Sequence, residues 1–168
     1  DGEAVEVVRP RAEAPIPQGS LAGAIAAIKA ADRTFDEKQF LQGARTAFSM
    51  IVEAFAKGDL QTLNGLLKPA VFAGFETEIA RRQSAGETVE TTIQRVLAAD
   101  IAAAKLDGKT AIITVDFTSE QLSVTRNANG EVIDGDPKKP QHVAESWTFE
   151  RDTDSREPTW FLVSTRPR

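Results

Sequence analysis

Residues 71–119 read VFAGFETEIARRQSAGETVETTIQRVLAADIAAAKLDGKTAIITVDFTS, and the hydrophobic period changes within this stretch. Before Gly86, the residues Val71, Phe72, Phe75 and Ile79 recur at three- and four-residue steps, the spacing of a helix with one apolar face. Arg81 and Arg82 stand near its end, where positive charge suits the helix dipole, and Gly86 suits the position just past it. After Gly86 the period drops to two. Residues 110–119 place Ile113, Val115 and Phe117 on one face and Ile112, Thr114 and Asp116 on the other, while residues 90–106 form a long run rich in Thr, Ile, Val and Ala. Asp107-Gly108 between the two runs is a hairpin turn signal.

Upstream of this switch the chain reads as helices. Residues 40–55 carry Phe40, Leu41, Ala44, Phe48, Ile51, Val52 and Phe55 at helical spacing. Asp36 is a suitable N-cap for them, Gly58 a suitable C-terminal stop, and Asp59 a cap for a short helix over 60–67. Pro69 then takes a first-turn position. Leu21, Ile25 and Ile28 make one narrow apolar stripe on a short helix, residues 21 to about 31. Residues 1–20 hold Pro10, Pro15 and Pro17 with alternating charge and no period, and read as a disordered linker. Downstream, strands are expected over 121–126, 143–151 and 160–165, with turns at 127–130 and a polar loop over 134–141. In the 143–151 run, Val143, Glu145 and Trp147 share one face. Helices followed by a meander of strands predict an α+β fold, N-terminal helices packed on a curved antiparallel sheet. The expected division is a linker (1–20), an amphipathic helix or arm (21–34) and a globular domain (35–168).

Composition excludes several functions. The 168 residues include no cysteine, no tyrosine and one histidine, His142, so thiol nucleophiles, thiolate or multi-histidine metal sites and tyrosine acids are ruled out. The net charge of -5 argues against a nucleic-acid partner. No apolar run is long enough to span a membrane. The chain starts Asp-Gly-Glu with no Met and no signal-like segment, which reads as a form whose start has been removed.

No motif carries chemistry on its own. Gly108-Lys109-Thr110 resembles the end of a phosphate loop, but Ala103 stands where a glycine is required, so a hairpin is the better reading. Asp134 and Asp136 lack the further ligands of a calcium loop and read as a turn. His142 reads as an exposed residue at a strand start. Asp100 sits among alanines and isoleucine; on the inner face of a curved sheet it could act as a base, and on the outer face it would be a plain surface residue. The aromatic set supports a core between the helix and sheet layers, with or without a residual apolar pocket. Its candidate lining is Phe48, Ile51, Phe55, Phe72, Phe75, Val115, Phe117, Trp147 and Phe149. The helix at Leu21–Ala31 admits three uses: a membrane-surface helix, an arm docking on a partner or second copy, or packing on its own domain. Lys29 and Arg33 are the positive charges that would accompany the first.

One series of segments resembles a known family. It runs from Ile25 to Phe35, through Phe40-Leu41-x-Gly43-Ala44-Arg45-x-Ala47-Phe48, Ile51-Val52-x-Ala54-Phe55 and Gly58-Asp59-x-x-x-Leu63, to Leu67-x-x-x-Val71-x-x-x-Phe75. It continues with Gly86-Glu87-Thr88, Val115-x-Phe117, Gly130-Glu131-Val132, Gly135-Asp136-Pro137, Trp147-Thr148-Phe149-x-Arg151-Asp152 and Trp160-x-Leu162-Val163. In their order, over roughly 21–166, these are similar to the C-terminal domain of the mitochondrial inner-membrane import translocase subunit forty-four family, in its bacterial form. The resemblance implies a cone-shaped, nuclear-transport-factor-two-like fold with an apolar pocket. It implies a peripheral scaffold that holds a heat-shock chaperone at a channel and touches cardiolipin-containing membrane through leading helices, which here map onto Leu21–Ala31. It also implies a place at the bacterial inner membrane, facing the cytoplasm, with an anchor preceding this chain. The family's chaperone-binding region lies mostly upstream, and bacteria lack the mitochondrial channel, so the import-motor role does not carry over whole.

The expectation is therefore a non-catalytic, membrane-associated adaptor domain without cofactor or metal. Leu21, Ile25, Ile28, Lys29 and Arg33 would contact membrane lipid (anionic lipid included), an inner-membrane or chaperone protein, or a second copy. The rival expectations are a small-molecule isomerase or hydrolase using Asp100 or Asp116, and a self-associating interaction domain.

Overall fold

The computed structural model describes residues 4–10 and 19–168. Four helices, α1 (Leu21–Ala31), α2 (Glu37–Lys57), α3 (Leu60–Asn64) and α4 (Pro69–Ala85), pack against a curled six-stranded sheet. The strands are β1 (Ala4–Val5), β2 (Thr88–Asp107), β3 (Thr110–Arg126), β4 (Val132–Gly135), β5 (Gln141–Asp152) and β6 (Phe161–Pro167). The helix ends are those the sequence signals. Asp36 accepts from the Gln39 N–H at 3.0 Å and Asp59 from the Thr62 N–H at 3.1 Å. Gly58 and Gly86 close α2 and α4 at φ of 72° and 70°.

The sheet runs β1-β5-β3-β2, with β4 also on β3 and β6 also on β5. Three register shifts between β2 and β3, at Ile93/Arg95, Val96/Ala98 and Ile101/Ala103, bend these long strands and curl the sheet into a cone. Residues 110–126, expected as two strands, form one strand for the same reason. Its first part pairs with β5 and its last residues with β4. The β4 strand falls in a segment expected to be turn and loop. It is admitted by Gly135, at φ 78°, where a Cβ would lie 2.1 Å from the Ser123 carbonyl oxygen.

The alternation along the inner wall grades the cone. Ile113, Val115 and Phe117 on β3 face Phe149, Trp147 and Glu145 on β5, and the wall continues outward through Ser119 and Gln121. The β3 wall is thus apolar toward the narrow end and carries polar side chains toward the wide end, where Val143 of β5 stands opposite Ser119. α2 seals the narrow end: the Phe48 ring stacks on Phe117 at 4.4 Å between centroids and lies 4.6 Å from Trp147.

Two expectations are corrected here. Ala4–Val5, assigned to a linker without structure, pairs in parallel with β5 (Ala4 with His142, Val5 with Val143), because β6 ends opposite Glu145 and leaves this edge open. The rest of the linker expectation, residues 1–3 and 11–18, lies outside the described residues. Secondly, α1 is not a protruding arm. Ile28 is 1% exposed and Ile25 8%, both within this chain's own core, while Leu21 keeps 36% exposure. Asp32, just past α1, pairs with Arg151 of β5 at 2.9 Å, and the Arg151 guanidinium also donates to the Ser155 and Glu157 carbonyls. The apolar stripe was legible, but a narrow stripe on a short helix is equally a docking face for its own sheet.

Candidate functional site

The wide end of the cone opens into a cavity of about 900 Å³ between α4, the polar ends of β2 and β3, and residues 5–10. Its polar lining includes Arg81 and Arg82 from α4, Thr91 from β2, Gln121 and Ser123 from β3, and Gln141 from β5. Of the nine residues expected to line an apolar pocket, Phe55 alone belongs to this cavity. Phe48, Ile51, Phe75, Val115, Phe117, Trp147 and Phe149 are fully buried in the core, and Phe72 packs half-buried against it. The sequence placed these residues on the right faces. It could not show that their rings fill the space between the layers.

Behind Arg9, which lines the cavity, sits Glu145, 2% exposed. Arg9 grips its carboxylate through both oxygens: Nε–H donates to Oε1, and an Nη2–H donates to Oε2 at 3.1 Å. The Trp147 indole N–H donates to Oε1 at 3.2 Å. The Arg9 guanidinium also lies 5.9 Å from the Trp147 ring centroid. Glu145 stands in the alternation beside Val143 and Trp147, and a carboxylate in step with an apolar face was the one signal for this site. Nothing in residues 4–10 signalled Arg9.

Arg82 forms the other buried cation. It is 7% exposed, donates from Nη2 to the Phe55 carbonyl at 2.5 Å and lies 4.6 Å from the Phe55 ring centroid. Its Nε–H is buried with no partner among the described residues. Desolvation lowers its pKa from the usual arginine value. Neighbouring Arg81 is exposed and held by Glu78 and Glu87 at 2.7 and 3.2 Å.

The candidate enzymatic carboxylates lie elsewhere. Asp100 pairs across the sheet with Asp116, and Asp116 with Ser146, so all three share the outer face. Asp100 is exposed; Asp116 accepts from the Ser146 hydroxyl at 2.6 Å and stands 3.9 Å from Arg168. Neither reaches the cavity. His142 opens β5 half-buried, with Nε2 3.3 Å from Glu120, whose pKa is lowered chiefly by the Arg95 guanidinium. Asp136 accepts from the Lys138 N–H at 2.9 Å in a turn, and Gly108-Lys109 is the turn of the β2–β3 hairpin. Among the expected contact residues, Leu21, Ile25 and Lys29 line a shallow groove with Ile101, beside exposed Arg33. Lys29 pairs with Glu37 at 2.5 Å.

The helices on a curled sheet form an α+β cone, solid at one end and cavity-bearing at the other. The intermembrane-space region of the chloroplast protein ARC6 has a similar fold, with a TM-score of 0.52 and 12% identity over 76% of this chain and 95% of that one. The Tim44-like domain profile matches residues 21–167, and the chain belongs to that family. The mouse mitochondrial import inner membrane translocase subunit TIM44 is 29% identical over 135 residues, 79% of this chain and 30% of the mouse protein. An uncharacterized protein of Rickettsia prowazekii (strain Madrid E) is 29% identical over 129 residues, 77% of this chain and 51% of that protein. The chain thus spans about a third of the length of the mouse relative. No described helix is long and apolar enough to cross a membrane.

Proposed function

We propose that this chain is a non-catalytic adaptor domain of a protein at the bacterial inner membrane, on its cytoplasmic face. The observation that carries this reading is the division of the cone. Glu78 and Glu87 in its cavity are engaged by Arg81, and Glu145 beside it by Arg9, while the two carboxylates expected as enzymatic bases, Asp100 and Asp116, share the opposite face of the sheet. The relation to an inner-membrane import translocase subunit supports the cellular setting. Two surfaces serve for contact: the cone mouth for a protein segment, and the rim of α1 for the membrane. At the rim, Leu21, Lys29 and Arg33 remain exposed after Ile25 and Ile28 have gone into the core.

Vesicle flotation of the intact chain tests the reading. Binding to cardiolipin-rich vesicles, weak or absent on neutral ones and reduced by Lys29→Glu and Arg33→Glu, is the expected result. An intact chain that stays unbound on both would overturn the membrane-contact part. Charge reversals are the appropriate variants, because deleting residues 1–34 would also strip Ile25 and Ile28 from the core.

A further inference from the structure

We propose that the wide end of the cone is a receptor for an extended, arginine-bearing peptide segment, and that residues 4–10 are its resident ligand in cis. The inference rests on the reading of the cone mouth as a binding site and names the chemistry that site accepts.

Recognition has three parts. The main chain of Ala4 and Val5 adds in parallel to the edge of β5 beyond the end of β6, the way an extended peptide augments a sheet. The Arg9 side chain then enters the cone, where the Glu145 carboxylate meets its fork through two oxygens. Trp147 orients that carboxylate from one side and offers its ring to the guanidinium. Finally, the Pro10 carbonyl accepts from the Thr165 hydroxyl at 3.4 Å, and α4 makes room for the proline at Gly74, where a Cβ would stand 3.2 Å from Pro10. A lysine would fill the site poorly, since a single ammonium cannot satisfy both carboxylate oxygens along the same line.

The same geometry makes the occupant exchangeable. The paired strand is two residues long, Val8 points into solvent, and residues 5–10, the buried Arg9 apart, stay exposed or half-buried along the 900 Å³ cavity. Glu145, by contrast, is held in β5 between β3 and the end of β6, paired with Phe117 and Pro167. A partner offering strand-forming residues followed by an arginine presents the features of Val5, Val7 and Arg9.

The test uses the full chain with a protease site inserted after Ala14, cut while folded. The released N-terminal segment is expected to leave on dilution under native size exclusion. A fluorescent peptide of residues 1–14 should rebind saturably, shift the Trp147 indole resonance, and lose about tenfold or more in affinity when Arg9 is replaced by Ala. The Arg9→Lys peptide should also bind more weakly. A cut segment that never leaves and cannot be displaced by excess peptide would make residues 4–10 a fixed part of the fold and overturn the proposal. Equal binding of the Arg and Ala peptides would overturn it as well. Flotation does not depend on this peptide, so the adaptor reading and the arginine-segment reading can fail separately.

Discussion

Glu145 and Arg9 show how one pair can join two parts of the chain that sequence keeps 136 residues apart. Each is enclosed, so removing one partner leaves the other without compensation in a low-dielectric site. Arg9→Ala is expected to lower the unfolding free energy by about 3–5 kcal/mol in urea denaturation, and Arg9→Ala with Glu145→Gln by less, since no uncompensated carboxylate then remains. A double variant as unstable as the sum of the single losses would contradict this. Asp32 acts at the same scale with a pH signature. The Thr34 hydroxyl and backbone N–H, with the Arg151 guanidinium, hold its carboxyl below the ordinary 3.8 against the opposing effect of burial. The folded state therefore binds this proton more weakly than the unfolded chain. The contribution is whole above the unfolded value and is lost as pH falls through the depressed folded one. The stability difference between wild type and Asp32→Asn should be flat above about pH 5 and shrink in more acid solution. These pairings were not legible in the sequence, because nothing local relates Arg9 to Glu145 or Asp32 to Arg151.

Helix α1 carries the sharpest lesson at the scale of elements. Its bounds, Leu21–Ala31, and its stripe were read from the sequence, and so were the caps at Asp36, Gly58 and Asp59 and the turn at Asp107-Gly108. Local chemistry writes these signals, which is why they survive reading. Which surface the stripe meets is a tertiary question. The answer, β2, makes Ile28→Ala cost about 2–4 kcal/mol and Leu21→Ala under about 1 kcal/mol in equilibrium unfolding. Similar small losses at both positions would return α1 to the role of an arm. The strands missed or misread have the same origin. β1 and β4 are short edge pieces whose pairing is supplied by partners distant in the fold, and β3 looked like two strands because bulges on β2 bend it without interrupting its pairing.

At the scale of the whole molecule, the cone divides its labour. Phe48, Phe117, Trp147 and Phe149, expected to line a pocket, close the narrow end, and the proposed binding space lies at the wide end, where Gln121, Ser123 and Thr125 of β3 line the cavity. The layer order and the inward faces were legible from the change of period at Gly86. The cavity was not, because it arises from the sheet's curl and from how far the helices reach along it. The central claim is that the narrow end is closed core and the wide end is the part that opens to bind. Native-state hydrogen exchange of the intact chain tests it most directly. The account predicts that the amides of residues 5–9 and β4 exchange through local opening, far faster than those of Phe117, Trp147 and Phe149, which await global unfolding. Equal protection at the two ends would contradict it, because the cone mouth would then be as firmly closed as the core.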